Sequence, residues 1–154
     1  MKRKIFISAA YALLIDQIVK YIVSYNNLNV WIIRRFLGFI YTKNTGIAFS
    51  LFSGNRLFII TFSIILIAIL IGIIKHDYLD KKIDNKLLNI AYGILLGGIL
   101  GNLIDRIVRG YVVDFVSLKI FKYYFPIFNL ADICITIGIV IILIDIVKLK
   151  DKSS

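Results

Sequence analysis

Asp114 and Asp132 lie at the ends of two apolar segments, where ionisable side chains are costly and mark function when they occur. Their surroundings are polar for so apolar a chain. The run Gly97-Gly98-Ile99-Leu100-Gly101-Asn102-Leu103-Ile104-Asp105-Arg106 precedes Val113-Asp114-Phe115, and Phe128-Asn129-Leu130-Ala131-Asp132 follows. Two carboxylates brought into contact repel as anions and come to share one proton. One can then polarise water while the other protonates a carbonyl and later an amine, which is acid–base hydrolysis of a peptide bond. The plainer alternative makes Asp114 a loop residue and Asp132 a helix cap. Asn129 would already serve as that cap, which leaves Asp132 surplus.

These residues need elements to position them, and composition says which kind. Of 154 residues, 60% are hydrophobic, an excess over soluble domains that points to the bilayer. Leu57 to Ile74 carries no charge and is flanked by Arg56 and Lys75, long enough to span. Four spans are expected, at about 5–24, 57–74, 87–108 and 129–147, within a single membrane domain covering 1–154. The chain reads as an integral membrane protein, mainly α. The start Lys2-Arg3-Lys4 with Ala10-Tyr11-Ala12 mimics a secretory leader, but the apolar stretch before that site is too short, and an uncleaved first helix is expected.

The net charge of +10 does not mark a nucleic-acid binder, because the basic residues sit at the ends of apolar segments. Cys134 is the one cysteine and reads as a small apolar packing residue. His76, the one histidine, lies in an inner loop with no Cys or Glu at ligand spacing, so neither a metal site nor a Ser–His–Asp arrangement is expected.

Loop charges set the orientation. Lys2, Arg3, Lys4, Lys75, Lys81, Lys82, Lys86, Lys148, Lys150 and Lys152 fall on one side, against Arg34, Arg35, Lys43, Arg56, Arg106, Arg109, Lys119 and Lys122 on the other. The bias places both termini in the cytoplasm. The segment of about 25–53 is β-branched, aromatic and punctuated by Gly38 and Gly46, so it reads as a small extracytoplasmic β element after the first helix. Residues 109–128 read as a second outer loop. The polar oddities of the chain then gather at the outer side.

Asp16 and Lys20 are one helical turn apart and read as an ion pair within the first span; alternatively Asp16 bonds a loop bordering the site. Gly93, Gly97 and Gly101 recur at four-residue spacing, the pattern of close helix packing. Asp105 reads as a partner of Arg106 or Arg109, and Asn102 as binding either backbone or substrate. Asn44-Thr45-Gly46 reads as a turn whose Asn and Gly suit positive φ.

Taken together these blocks resemble the lipoprotein signal peptidases (signal peptidase II), bacterial membrane aspartic proteases. The resemblance runs through Asp16-Gln17-Ile18-Val19-Lys20, Lys43-Asn44-Thr45-Gly46-Ile47-Ala48-Phe49, Gly98 to Arg106, Val112-Val113-Asp114-Phe115 and Phe128 to Asp132. It implies that Asp114 and Asp132 are the catalytic pair. It also implies that Asn44, Gly46, Asn102, Asp105, Arg106 and Asn129 bind substrate or brace the site, with Asp16 and Lys20 supporting from the first helix. The implied substrates are prolipoproteins carrying a diacylglyceryl cysteine, cut just before that cysteine. The implied partners include membrane lipids and globomycin-type inhibitors, with no metal or organic cofactor and a monomer in the bacterial inner membrane. Two positions depart from the family's habit: Val19 replaces a hydroxyl residue, and Ile47 adds bulk beside Asn44. The competing readings are a small proton-coupled transporter or channel using the aspartates as a relay, and a purely structural subunit.

Overall fold

Four apolar runs become four helices in the structure, a computed structural model that describes residues 2–47, 51–79 and 86–151. They are α1 (Lys2–Tyr25), α2 (Arg56–Leu79), α3 (Lys86–Val108) and α4 (Leu130–Asp151). Each contains a stretch long and apolar enough to cross a membrane. At 1.5 Å per residue, helices of this length reach about 33–36 Å, slightly more than a hydrocarbon core. Each expected segment coincides with one of these helices, which continue a few residues past the apolar stretch. His76 falls in the last turns of α2 rather than in a loop. Lys81 and Lys82 of the inner loop, Lys152, and Ala48 and Phe49 of the second motif lie outside the described residues.

Helix ends are fixed by local chemistry. At the end of α1 the Leu28 N–H donates to the Val23 carbonyl (3.1 Å) and the Asn27 N–H to that of Ser24 (3.4 Å). Asn27 takes a left-handed φ of 46°. This is a Schellman stop with asparagine in the glycine position, closed by packing of Leu28 near Val23. Gly110, at φ 83°, ends α3 in the same handedness.

The centre of the bundle is α3, the most buried of the four. Its small residues face two neighbours at once. A Cβ on Gly97 would strike the Ala9 carbonyl of α1 and stand 2.9 Å from the Ala12 Cβ; one on Gly98 would stand 2.6 Å from the Ala131 carbonyl of α4. Close packing in lipid depends on such contacts, since apolar burial gives no drive between helices there. Gly97→Val is therefore expected to destabilise by roughly 1–3 kcal/mol through overpacking. Gly72→Ala on α2, where nothing lies within 4 Å, is expected to be neutral. Thermal unfolding of both variants in the same detergent separates them.

The β element is larger than the sequence suggests. Strands β1 (Asn29–Ile33) and β2 (Leu37–Asn44) form the expected hairpin, but β3 (Val112–Ile120) and β4 (Tyr123–Tyr124) rise from the segment expected to be a loop. All pair antiparallel in the order β1-β2-β3-β4. β3 was hard to see because Val112 to Ser117 are buried on both faces, which removes the alternation that betrays a half-exposed strand. Val113, Phe115 and Val116 pack with Val23 of α1, so the sheet sits on the helix ends rather than beside them.

Candidate active site

Sheet register brings the first group of site residues together. Asn44 pairs with Val112 and Thr42 with Asp114, which puts Asn44 diagonally across from Asp114. Between Phe39 and Thr42 the register shifts by a bulge in β2, a device that re-aims side chains near functional sites. Asn44 Nδ2 then donates to Asp114 Oδ2 at 2.8 Å, while its Oδ1 accepts the Gly46 N–H at 2.9 Å. The turn is thus an Asx turn made by the asparagine side chain. Neither Asn44 nor Gly46 has positive φ, so that part of the expectation is corrected.

The start of α4 supplies the second group. Asn129 Oδ1 accepts the Asp132 N–H at 2.9 Å, and Asp132 Oδ2 accepts the Asn129 N–H at 3.2 Å. This reciprocal pair is a capping box, with each residue closing the other's orphan donor. Capping and catalysis were opposed readings of Asp132, but capping uses only one carboxylate oxygen. The other, Oδ1, accepts from Asn102 Nδ2 at 2.8 Å. Asn129 Nδ2 in turn donates to Asp114 Oδ1 at 2.6 Å and to Asn102 Oδ1 at 3.3 Å. Asp114 and Asp132 are therefore joined through two asparagines, Asn129 and Asn102.

Behind this pair lies a buried ionic cluster. Lys20 Nζ reaches Asp16 Oδ2 (2.8 Å), Asp105 Oδ2 (3.0 Å) and Asn102 Oδ1 (2.8 Å). Asp16, Lys20 and Asp105 are all fully buried. The ion pair of Asp16 with Lys20 forms as expected, but the second Asp16 oxygen accepts the Ala131 N–H at 2.9 Å in the first turn of α4 rather than bonding a loop. Asp105 pairs with Arg109 rather than Arg106 and also accepts the Val113 N–H at 3.2 Å, tying α3 to β3. Arg106 instead donates to the carbonyls of Gly46 (2.8 Å) and Asn102 (3.1 Å).

In front lies a cavity of about 650 Å³ between α2, α3, α4 and the sheet. Asn44, Asn102, Arg106, Asp114 and Asp132 form its polar end, and Phe62, Leu66, Ile69, Ile99 and Ile139 are among the residues of its apolar remainder. Ile47, three residues after Asn44, also lines it. Val19, the other departure, packs with the apolar cluster under the sheet and leaves the polar network untouched. Burial, opposed by the Asn44 and Asn129 amides and aided by the Asp132 carboxylate, pushes the Asp114 carboxyl up to about 6. Among the described residues no three His, Cys, Asp or Glu side chains gather as a metal site.

Two contributors escaped the sequence reading. Gln17 Nε2 bridges the Gly101 carbonyl and Asp105 Oδ1. Arg56 donates from Nε to the Arg106 carbonyl (2.8 Å) and from Nη2 to that of Ile107 (2.7 Å). A cation at the start of α2 opposes that helix's own dipole, and this mismatch was the available signal. It resolves once Arg56 is seen to cap the carbonyl end of α3.

Known proteins resemble this chain in sequence and fold. Residues 8–148 match the family described as signal peptidase (SPase) II. Lipoprotein signal peptidases of Staphylococcus aureus strains JH9 and bovine RF122 / ET3-1 are 38% and 36% identical over 163 residues, covering 100% of this chain and 96% of each relative. A bacterial membrane enzyme solved by the in meso method superimposes with a TM-score of 0.85 at 32% identity, over 97% of this chain and 91% of that one. A second gives 0.79 at 33%, over 94% and 92%. With matches that span nearly its full length, the chain belongs to the signal peptidase II family.

Proposed function

We propose that the chain is an aspartic endopeptidase in which Asp114 and Asp132 are the catalytic pair. Its family makes it a protease that removes signal peptides from prolipoproteins, held in the bacterial inner membrane by several spans. The observation that carries the catalytic type is the placement of both carboxylates on one cavity, joined by Asn129 and Asn102. With one proton between them, the ionised carboxylate takes a proton from water as its oxygen attacks the scissile carbonyl. The protonated carboxyl donates to that carbonyl oxygen, and the amine leaves with a proton returned from the pair. Arg106 Nε is buried with no hydrogen-bond partner among the described residues.

The cavity's two ends suit a substrate with two characters. The polar end takes the peptide, and the apolar faces of α2 and α4 take acyl chains or the hydrophobic part of the signal peptide. The cut is placed just before a diacylglyceryl-bearing cysteine. Globomycin-type cyclic peptides would compete for the same space, and the site is complete within one chain, which supports a monomer. The site lies where α1 and α3 end and α2 and α4 begin, opposite both termini. Combined with the loop charges, this supports an outer-face site with cytoplasmic termini. The relay reading has no such support: from Leu57 to Ile74, α2 holds no ionisable side chain.

The test uses a purified prolipoprotein precursor with and without the diacylglyceryl group. Cleavage of the modified form only, at the bond before the cysteine, is the expected result. Equal cleavage of both forms would show that the apolar part of the cavity does not select the lipid.

A further inference from the structure

The outer sheet has an unpartnered surface with a pronounced charge asymmetry. From Gln17 to His76 the sequence holds no Asp or Glu, and from Arg106 to Ala131 only Asp114, which is buried in the site. Arg34, Arg35, Lys43 and Lys122 are exposed on this side with no ion pair among the described residues. Three of them share one place. Leu37 pairs with Leu118 and the Lys119 N–H donates to the Phe36 carbonyl at 2.8 Å, so the turn at Arg34–Phe36 lies against the turn at Ile120–Tyr123.

Both turns also present apolar groups. Phe121 is 93% exposed, Tyr123 and Phe36 lie beside it in the open, and the edge strand β1 exposes Val30, Ile32 and Ile33. An apolar, unpaired strand edge invites aggregation in water unless something covers it. Arg35 and Phe121 hold left-handed φ of 62° and 54°, a conformation where glycine fits with less strain. Each turn thus keeps a long or aromatic side chain where a small residue would cost less.

We propose that these two adjacent turns form a docking surface for the anionic lipid headgroups of the outer leaflet, the cations meeting phosphates and the aromatics entering the interfacial layer. The charge complementarity favours lipid over a protein partner, because cations flanked by aromatics match the headgroup zone. Docking would hold the sheet, and with it Asn44 and Asp114, at a fixed height above the bilayer. The inference rests on the outer-face placement of the sheet proposed above.

The chain carries its own probe. Trp31 is the only tryptophan and lies on β1 against Gly38, where a Cβ would come within 3.1 Å of its ring. The protein would be placed in nanodiscs of brominated phosphatidylcholine, alone or mixed equally with brominated phosphatidylglycerol. Quenching of Trp31 is expected to be about twofold stronger with the anionic lipid, as several cations are drawn to the surface. It should weaken in about 0.5 M salt, where screening shortens to a few ångströms. Arg34→Gln, Arg35→Gln and Lys122→Gln together should remove the anionic-lipid excess while detergent emission and melting stay as wild type. Equal quenching in both lipids, or an excess that survives the triple substitution, would overturn the proposal. Absence of quenching in either lipid would instead overturn the placement of the sheet at the bilayer. Prolipoprotein cleavage by the same nanodiscs reports the peptidase reading separately.

Discussion

Asp114→Asn and Asp132→Asn each lower kcat by roughly three orders of magnitude or more, as removal of one member of a unit does, while the protein still folds. The amide is the same size as the carboxyl but keeps an oxygen toward only one of the two donors already present. In Asp114→Asn those donors are the Asn44 and Asn129 amides; in Asp132→Asn they are the Asn102 amide and the Asn129 N–H. Each variant loses the ability to move a proton and one hydrogen bond, the latter costing about 1–3 kcal/mol. Cleavage of lipidated precursor is measured beside the thermal midpoint, and near-normal turnover by either well-folded variant would remove that residue from catalysis.

The same experiment read against pH carries a sign. Asp114 is raised to about 6 in the fold, above its ordinary 3.8. A raised carboxyl holds its proton when the unfolded chain has lost it, so its contribution to stability is full below about 4 and is lost as pH climbs through about 6. Wild type is expected to lose stability across that window, and Asp114→Asn should flatten the change. Cleavage should decline over the alkaline side of the same window, as the shared proton leaves the pair.

The second large effect falls on stability first. Lys20→Met leaves Asp16 and Asp105 facing each other with no cation between them, both fully buried. Breaking a buried pair by removing one partner typically costs about 3–5 kcal/mol. Activity should fall further than folding alone predicts, because Lys20 also fixes the Asn102 amide. With Nζ holding Asn102 Oδ1, the Nδ2 side is turned to Asp132. Adding Asp16→Asn to Lys20→Met should recover part of the melting temperature without restoring cleavage to the same degree. Full recovery of both would reduce Lys20 to a purely structural role. Unfolding in detergent and single-turnover cleavage of the folded fraction measure the two effects separately.

How much of this was legible depended on whether one residue or a geometry carried it. Apolar length alone marked the four helices, because lipid demands long uninterrupted runs. The glycine spacing on α3 was readable for a like reason, since close approach in lipid needs small residues at one face. Asp114, Asp132 and Asn129 stood out because polar groups are rare in such a chain. By contrast, β3 was hidden by burial on both faces, and the pairing of Asp105 with Lys20 joins residues far apart in sequence. The double use of Asp132 was hidden too, since one carboxylate looks the same in sequence whether it serves one partner or two. The relation of Arg56 to α3 required knowing which helix ends meet.

The capping box on Asn129 and Asp132 has a consequence for biogenesis. The proposed catalytic pair is divided between β3 and the first turn of α4, and the second carboxylate is aimed by the same bonds that begin that helix. A nascent chain that has built the sheet but not yet threaded its last helix holds Asp114 without its counterpart. A chain in that state would lack one of the two proposed proton carriers, so placement of α4 is what would complete the site.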